Sequence, residues 1–80
     1  MRLDKYLKVS RLIKRRTVAN EACDQGRVSV NGKPARASHE VKLGDVIKIT
    51  FGTRSIVIEV LSINETAQKA EASALFRQLS

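Results

Sequence analysis

Arg2, Lys5, Lys8, Arg11, Lys14, Arg15 and Arg16 crowd the first twenty residues of this chain, opposed by one acid, Asp4. That segment carries +6 of a formal net charge of +7. Over the remaining sixty residues bases and acids nearly balance. Cations packed this closely repel one another, so the arrangement points to an anionic partner. The chemistry on offer is phosphate binding. Arginine presents a planar, permanently charged fork that grips phosphate oxygens in two places, and lysine adds a point charge. A polyphosphate backbone is the matching ligand. Arg2, Lys5, Arg11, Lys14, Arg15 and Arg16 are the candidate contacts. Lys8, Asn31 and Lys33 form a second, outer set, with Arg36 beside them.

Other chemistries lack their residues. One cysteine, Cys23, and one histidine, His39, make no zinc ligand set. No nucleophile motif and no glycine-rich phosphate loop occurs, so an enzyme is not expected, nor is a cofactor. Cys23 reads as a core residue on a helix face, and His39 as a surface loop residue. Asp4 reads as structural, holding a neighbouring arginine or capping a helix. Asn31-Gly32 reads as a tight turn. Aromatics are sparse, with Tyr6, Phe51, Phe76 and no tryptophan. Single-strand binders of the sheet type need stacking platforms, and three dispersed rings supply none. Contacts to phosphates and to folded nucleic-acid shape are favoured instead.

The elements that must position these residues follow from the periodicity. Eighty residues make one domain, 1–80, with a small core and little room for a deep pocket. Leu3, Leu7 and Ser10 share one helical face with Tyr6 beside them, which predicts a helix over Leu3–Ser10. A connection over Arg11–Arg16 leads to a second helix, from Arg16 or Thr17 to Gln25. Val18, Ala19, Ala22 and Cys23 give it a narrow face of small residues, and Gly26 ends it. The basic tripeptide Lys14–Arg16 then sits at a helix N-terminus, where unpaired N–H groups also favour phosphate. After Gly26 the period becomes two. Val28–Val30, Val46–Phe51 and Ile56–Leu61 read as strands, with a hairpin loop over Gly52–Ser55 and Pro34 in an irregular stretch. Residues 65–79 revert to helix formers and predict a short C-terminal helix or tail. The fold class is α+β: two N-terminal helices on a small, twisted, mainly antiparallel sheet.

The order of these pieces is specific. Arg2-Leu3-Asp4-Lys5-Tyr6-Leu7, Ser10-Arg11, Ala22-Cys23-Asp24-Gln25-Gly26, Arg27 through Lys33 and Val41 through Ile47 follow one another at set spacings. Over residues 1–50 they resemble the RNA-binding domain named after ribosomal small-subunit protein four. In length and detail, through Lys8 to Thr17, the chain looks like the stand-alone RqcP (YabO) family of Gram-positive bacteria. It is also similar to the fifteen-kilodalton heat-shock ribosome-associated proteins of Gram-negative bacteria. The resemblance implies binding to large ribosomal subunits blocked by peptidyl-tRNA, with contacts to ribosomal RNA and tRNA. It also implies cooperation with an RqcH/NEMF-type quality-control factor that adds untemplated alanine to the stalled chain.

Compartment and form are read from absences. No apolar run approaches the roughly 20 residues of a membrane span, and no apolar stretch follows the basic N-terminus. A single cysteine fits a reducing compartment. A cytoplasmic, ribosome-associated monomer with no membrane partner is expected. Duplex RNA hides its base edges in a deep, narrow groove, so a rigid cationic surface would read shape. Two other classes compete. An accessory domain of an RNA-modifying or tRNA-charging enzyme is disfavoured by the opening methionine and the continuous single-domain pattern. A helix-turn-helix DNA regulator is disfavoured by a basic turn and few base-reading groups, Asn20 and Gln25 among them.

Overall fold

Two helices come first, and a sheet follows them. The computed structural model describes residues 1–63 and 75–80. The helices are α1, Leu3–Val9, and α2, Arg16–Asp24. The strands are β1, Val28–Val30; β2, Lys33–Pro34; β3, Val46–Phe51; β4, Arg54–Val60; and β5, Phe76–Gln78. They form one sheet in the order β2-β1-β3-β4-β5, every pair antiparallel. The expected fold class is therefore the observed one.

Each helix ends as its residues dictate. α1 buries Leu3, Tyr6 and Leu7, the face set by their spacing, and Ser10 caps it from a buried position. Its first N–H groups are satisfied from outside. Leu3 donates to the His39 carbonyl at 2.8 Å and Asp4 to that of Ala37 at 3.1 Å. α2 buries Ala19, Ala22 and Cys23, small side chains that let it lie close to its neighbours. Val18, expected on that face, is 47% exposed, because it sits a hundred degrees round the helix from Ala19. Gly26 ends α2 at φ 74°, a left-handed conformation that glycine adopts without steric penalty. Burial pushes the Cys23 thiol up to about 11, aided by the charges of Asp4 and Asp24. Cys23 is thus a protonated core residue at neutral pH.

The sheet places its apolar rows against the helices. Val28, Val30, Ile47, Ile49, Ile58 and Val60 are buried, alternating with polar or half-exposed residues. Each such side chain contributes about 1.5–3 kcal/mol relative to exposure. Asn31 and Gly32, both at positive φ, turn β1 into β2. Pro34, expected in irregular chain, pairs with Ser29 in β2; an edge strand tolerates proline because its outer side needs no N–H. The second hairpin turns tighter than expected, with Phe51 opposite Arg54 and Ser55 already in β4.

The C-terminus departs from the helical expectation. Phe76–Gln78 pairs with Ile58–Val60, and Leu61 and Ser62 both donate to the Leu75 carbonyl. The Tyr6 hydroxyl donates to that same carbonyl at 2.7 Å, tying α1 to the last strand. Long-range pairing to β4 outweighs local helix preference there. The rest of the expected helix, 65–74, lies outside the described residues.

Candidate nucleic-acid interface

Asp4 organises the basic end of the molecule. Its side chain is almost fully buried in the first turn of α1. Arg2 donates through Nε to Oδ1 at 3.2 Å and through Nη2 to Oδ2 at 3.4 Å. Arg16, from the start of α2, brings its Nε to 3.3 Å from Oδ2 and its Nη2 to 3.5 Å from Oδ1. Asn20, one turn along α2, donates Nδ2 to Oδ2 at 3.4 Å. The Lys5 backbone N–H completes the set on Oδ1 at 2.8 Å. One carboxylate thus holds two arginines, one at each helix's start.

The electrostatics follow from that geometry. Burial alone would push the Asp4 carboxyl up. The hydrogen bonds from Arg16, Asn20 and the Lys5 N–H outweigh it and hold the pKa below the ordinary value of 3.8. Asp4 is therefore charged, and the cluster of Arg2, Asp4 and Arg16 keeps one net positive charge. Both arginine side chains remain half exposed, at 50% and 49%. Beside Arg16 lies an open depression lined by Asp4, Arg16, Thr17, Asn20 and Glu21. A guanidinium already fixed in place loses less conformational freedom when it meets a phosphate.

The other candidates take up defined places. Lys14 and Arg15 are exposed in the connection that enters α2, next to Arg16. No side chain caps α2, so its positive end opens onto the same region. Lys5 is half-buried on α1, and Lys8 is exposed in its last turn. Lys33 stands on the edge strand β2, in an open cleft with Arg36 and His39 rather than against the Asp4 cluster. The Asn31 side chain is committed to structure: Nδ2 donates to Asp45 at 3.2 Å and Oδ1 accepts from the Val46 N–H at 3.0 Å. Among the described residues no group of histidine, cysteine and acidic side chains could hold a metal.

Arg11 follows α1 at φ 63°, in the left-handed region. A side chain there costs about 1–2 kcal/mol, and glycine would relieve it. Arg11 is exposed, so no packing explains its presence. Arg11→Gly is expected to raise the melting temperature by about 4–8 °C, as roughly 1 kcal/mol does for a domain of this size. Affinity for structured RNA should fall in the same variant. Paired melting and binding curves check this; an unchanged melting temperature would mean the position is unstrained.

The structural part expected of Asp4 is the observed one, but its bond to Arg16, twelve positions away, is not visible in the sequence. Asn20 is legible there only as a possible base-reading group. The four-residue spacing of Arg16 and Asn20, which puts both on one helix face, is the available signal.

Known proteins resemble this chain in sequence and fold. The S4 domain family model matches residues 1–47. The RQC P-site tRNA stabilizing factor of Halalkalibacterium halodurans is 55% identical over 76 residues, covering 95% of this chain and 86% of that protein. The Bacillus subtilis protein of the same name is 51% identical over 76 residues, covering 95% and 88%. The trimeric structure of Vibrio cholerae heat shock protein 15 superposes with a TM-score of 0.90 at 31% identity, covering 100% of this chain and 82% of that one.

Proposed function

The chain belongs to the S4 domain family, and from that premise we propose that it is a non-enzymatic RNA-binding factor of ribosome-associated quality control. It binds large ribosomal subunits obstructed by peptidyl-tRNA and contacts both ribosomal RNA and tRNA. In doing so it supports C-terminal alanine tailing of the stalled chain by an RqcH/NEMF-type partner. The names carried by its relatives support the setting. The observation that carries the mechanism is the pair of arginines fixed on buried Asp4.

The whole chain, 1–80, acts as a single RNA-binding domain, a cytoplasmic, ribosome-associated monomer. No described helix is long and apolar enough to cross a membrane. Arg2 and Arg16, with Arg11, Lys14, Arg15 and Lys5, form the primary contact surface. Lys8, Lys33 and the Asn31 turn are the outer contacts. A rigid basic surface that touches two RNAs raises the effective concentration of each for the other, and so holds tRNA on the subunit between elongation steps.

Direct competition between structured RNA and duplex DNA at matched salt tests this reading. RNA should win, and log affinity should fall with log salt at a slope near −4 if about five phosphates are neutralised. Preference for duplex DNA at every salt concentration would remove it.

A further inference from the structure

We propose that the cleft between α2 and the β3–β4 hairpin receives one unpaired base of the RNA whose phosphates the arginine cluster holds. The inference rests on the RNA-binding reading above. Phe51 continues the inward row of Ile47 and Ile49 to the end of β3 and is 47% exposed. It is the most exposed of the three aromatic residues, since Tyr6 is fully buried and Phe76 half-buried. Val18 of α2 lines the same cleft and is also 47% exposed, with buried Ile13 between helix and hairpin. Two large apolar side chains left half bare on a cationic protein form a place for a flat apolar group.

Size, rim and position select the occupant. The cleft holds about 140 Å³, below the roughly 300 Å³ at which drug-sized pockets begin. It fits a single ring system and not a helix. Its rim carries Glu21, Gln25, Arg27 and Thr50. Arg54 stands directly opposite Phe51 across the hairpin. A carboxylate accepts from an exocyclic amino group, and a guanidinium donates to ring nitrogen or carbonyl oxygen. The rim therefore suits a nucleobase, whose edge carries both donors and acceptors. Glu21 also lines the depression beside Arg16, so this one residue of α2 borders both the cleft and the proposed phosphate-binding surface. Three dispersed aromatics cannot stack a strand, but one ring is enough for one base.

Two RNA hairpins test the proposal, identical except that one carries a single bulged 2-aminopurine. The full-length protein should bind the bulged hairpin more tightly and quench its fluorescence. Phe51→Ala should lose that preference by about 5- to 150-fold, the range for removing one stacked base. Phe51→Trp should keep it, and this second variant guards against a folding defect in the alanine. Arg16→Ala should weaken both hairpins alike. A wild-type protein that binds both hairpins equally overturns the base site and leaves the RNA-binding reading standing. Binding of neither hairpin removes both. If Phe51→Ala binds RNA normally but dissociates from stalled subunits, the cleft docks a protein and the base assignment is wrong.

Discussion

Arg16→Ala should weaken binding to large subunits carrying peptidyl-tRNA by about tenfold to a hundredfold. The range is what one charge-assisted hydrogen bond supplies, about 1.5–3 kcal/mol. Arg16 is the residue best placed to deliver it. One side of its guanidinium is held on Asp4, half of the side chain is open to solvent, and it sits where α2 opens with no side-chain cap. Arg2→Ala should behave alike, because Arg2 leans on the same carboxylate. The salt slope should become shallower by about 0.7–0.9 for each phosphate no longer neutralised. Arg16→Lys keeps the charge but not the fork, so it should recover affinity only in part. Stability should also fall, by about 1–3 kcal/mol, because each truncation takes hydrogen bonds from the buried Asp4 carboxylate. Binding is therefore compared well below the melting transition of each variant. Retained binding by both folded alanine variants would remove the basic surface from the mechanism.

Asp4→Asn separates orientation from simple charge. Removing an acid from a polyanion-binding surface should strengthen binding if only net charge matters. The cluster would rise from one net positive charge to two. If Asp4 acts by holding Arg2 and Arg16 in position, the same change should weaken binding, by about threefold to tenfold, as the arginines regain conformational freedom. Stability should also drop, by about 2 kcal/mol, because the hydrogen bonds to a buried carboxylate are among the stronger ones. For a domain of this size that is roughly 10 °C in melting temperature. The pH dependence has a definite sign. The folded-state pKa of Asp4 lies below its ordinary 3.8, so the unfolded chain takes up the proton first as pH falls. The stability from Asp4 is fully present above about pH 4. It fades as pH falls through the lower folded value. Asp45 shows the same direction: burial raises its pKa, but the Lys42 N–H, Asn31 and His39 together lower it. Acid melting of Asp4→Asn should therefore be flatter below pH 4 than that of the wild type, though not flat. Tighter RNA binding by Asp4→Asn would refute the orienting role.

Much of this architecture is legible in the sequence because local and long-range preferences agree. Leu3, Tyr6 and Leu7 mark the buried face of α1, Gly26 ends α2, and Asn31-Gly32 turns the first hairpin. Val46–Phe51 alternates as a strand of a one-sided core should, and it is one. Where those preferences conflict, tertiary structure decides. Phe76–Gln78 has helix-compatible neighbours yet adds to the edge of the sheet, because β4 offers it a row of unpaired backbone groups. Pro34 reads as a strand breaker but occupies an edge. The candidate site divides in the same way. Charge density alone marks Arg2 and Lys14 through Arg16 as an anionic-ligand surface. It does not reveal that Arg2 and Arg16 meet on one carboxylate, since that depends on how α1 packs against α2. Nor does it show that Phe51 runs out beyond the core, which only the register of β3 against β4 makes plain.

The central claim is that this surface bridges ribosomal RNA and tRNA on the large subunit. Sedimentation of cell extract through a sucrose gradient, with sequencing of RNA crosslinked to the protein in each fraction, tests it most directly. A peak at the large subunit with crosslinks to both ribosomal RNA and tRNA is the predicted result. A peak at the top of the gradient, with crosslinks to other RNA or to DNA, would contradict the ribosomal function.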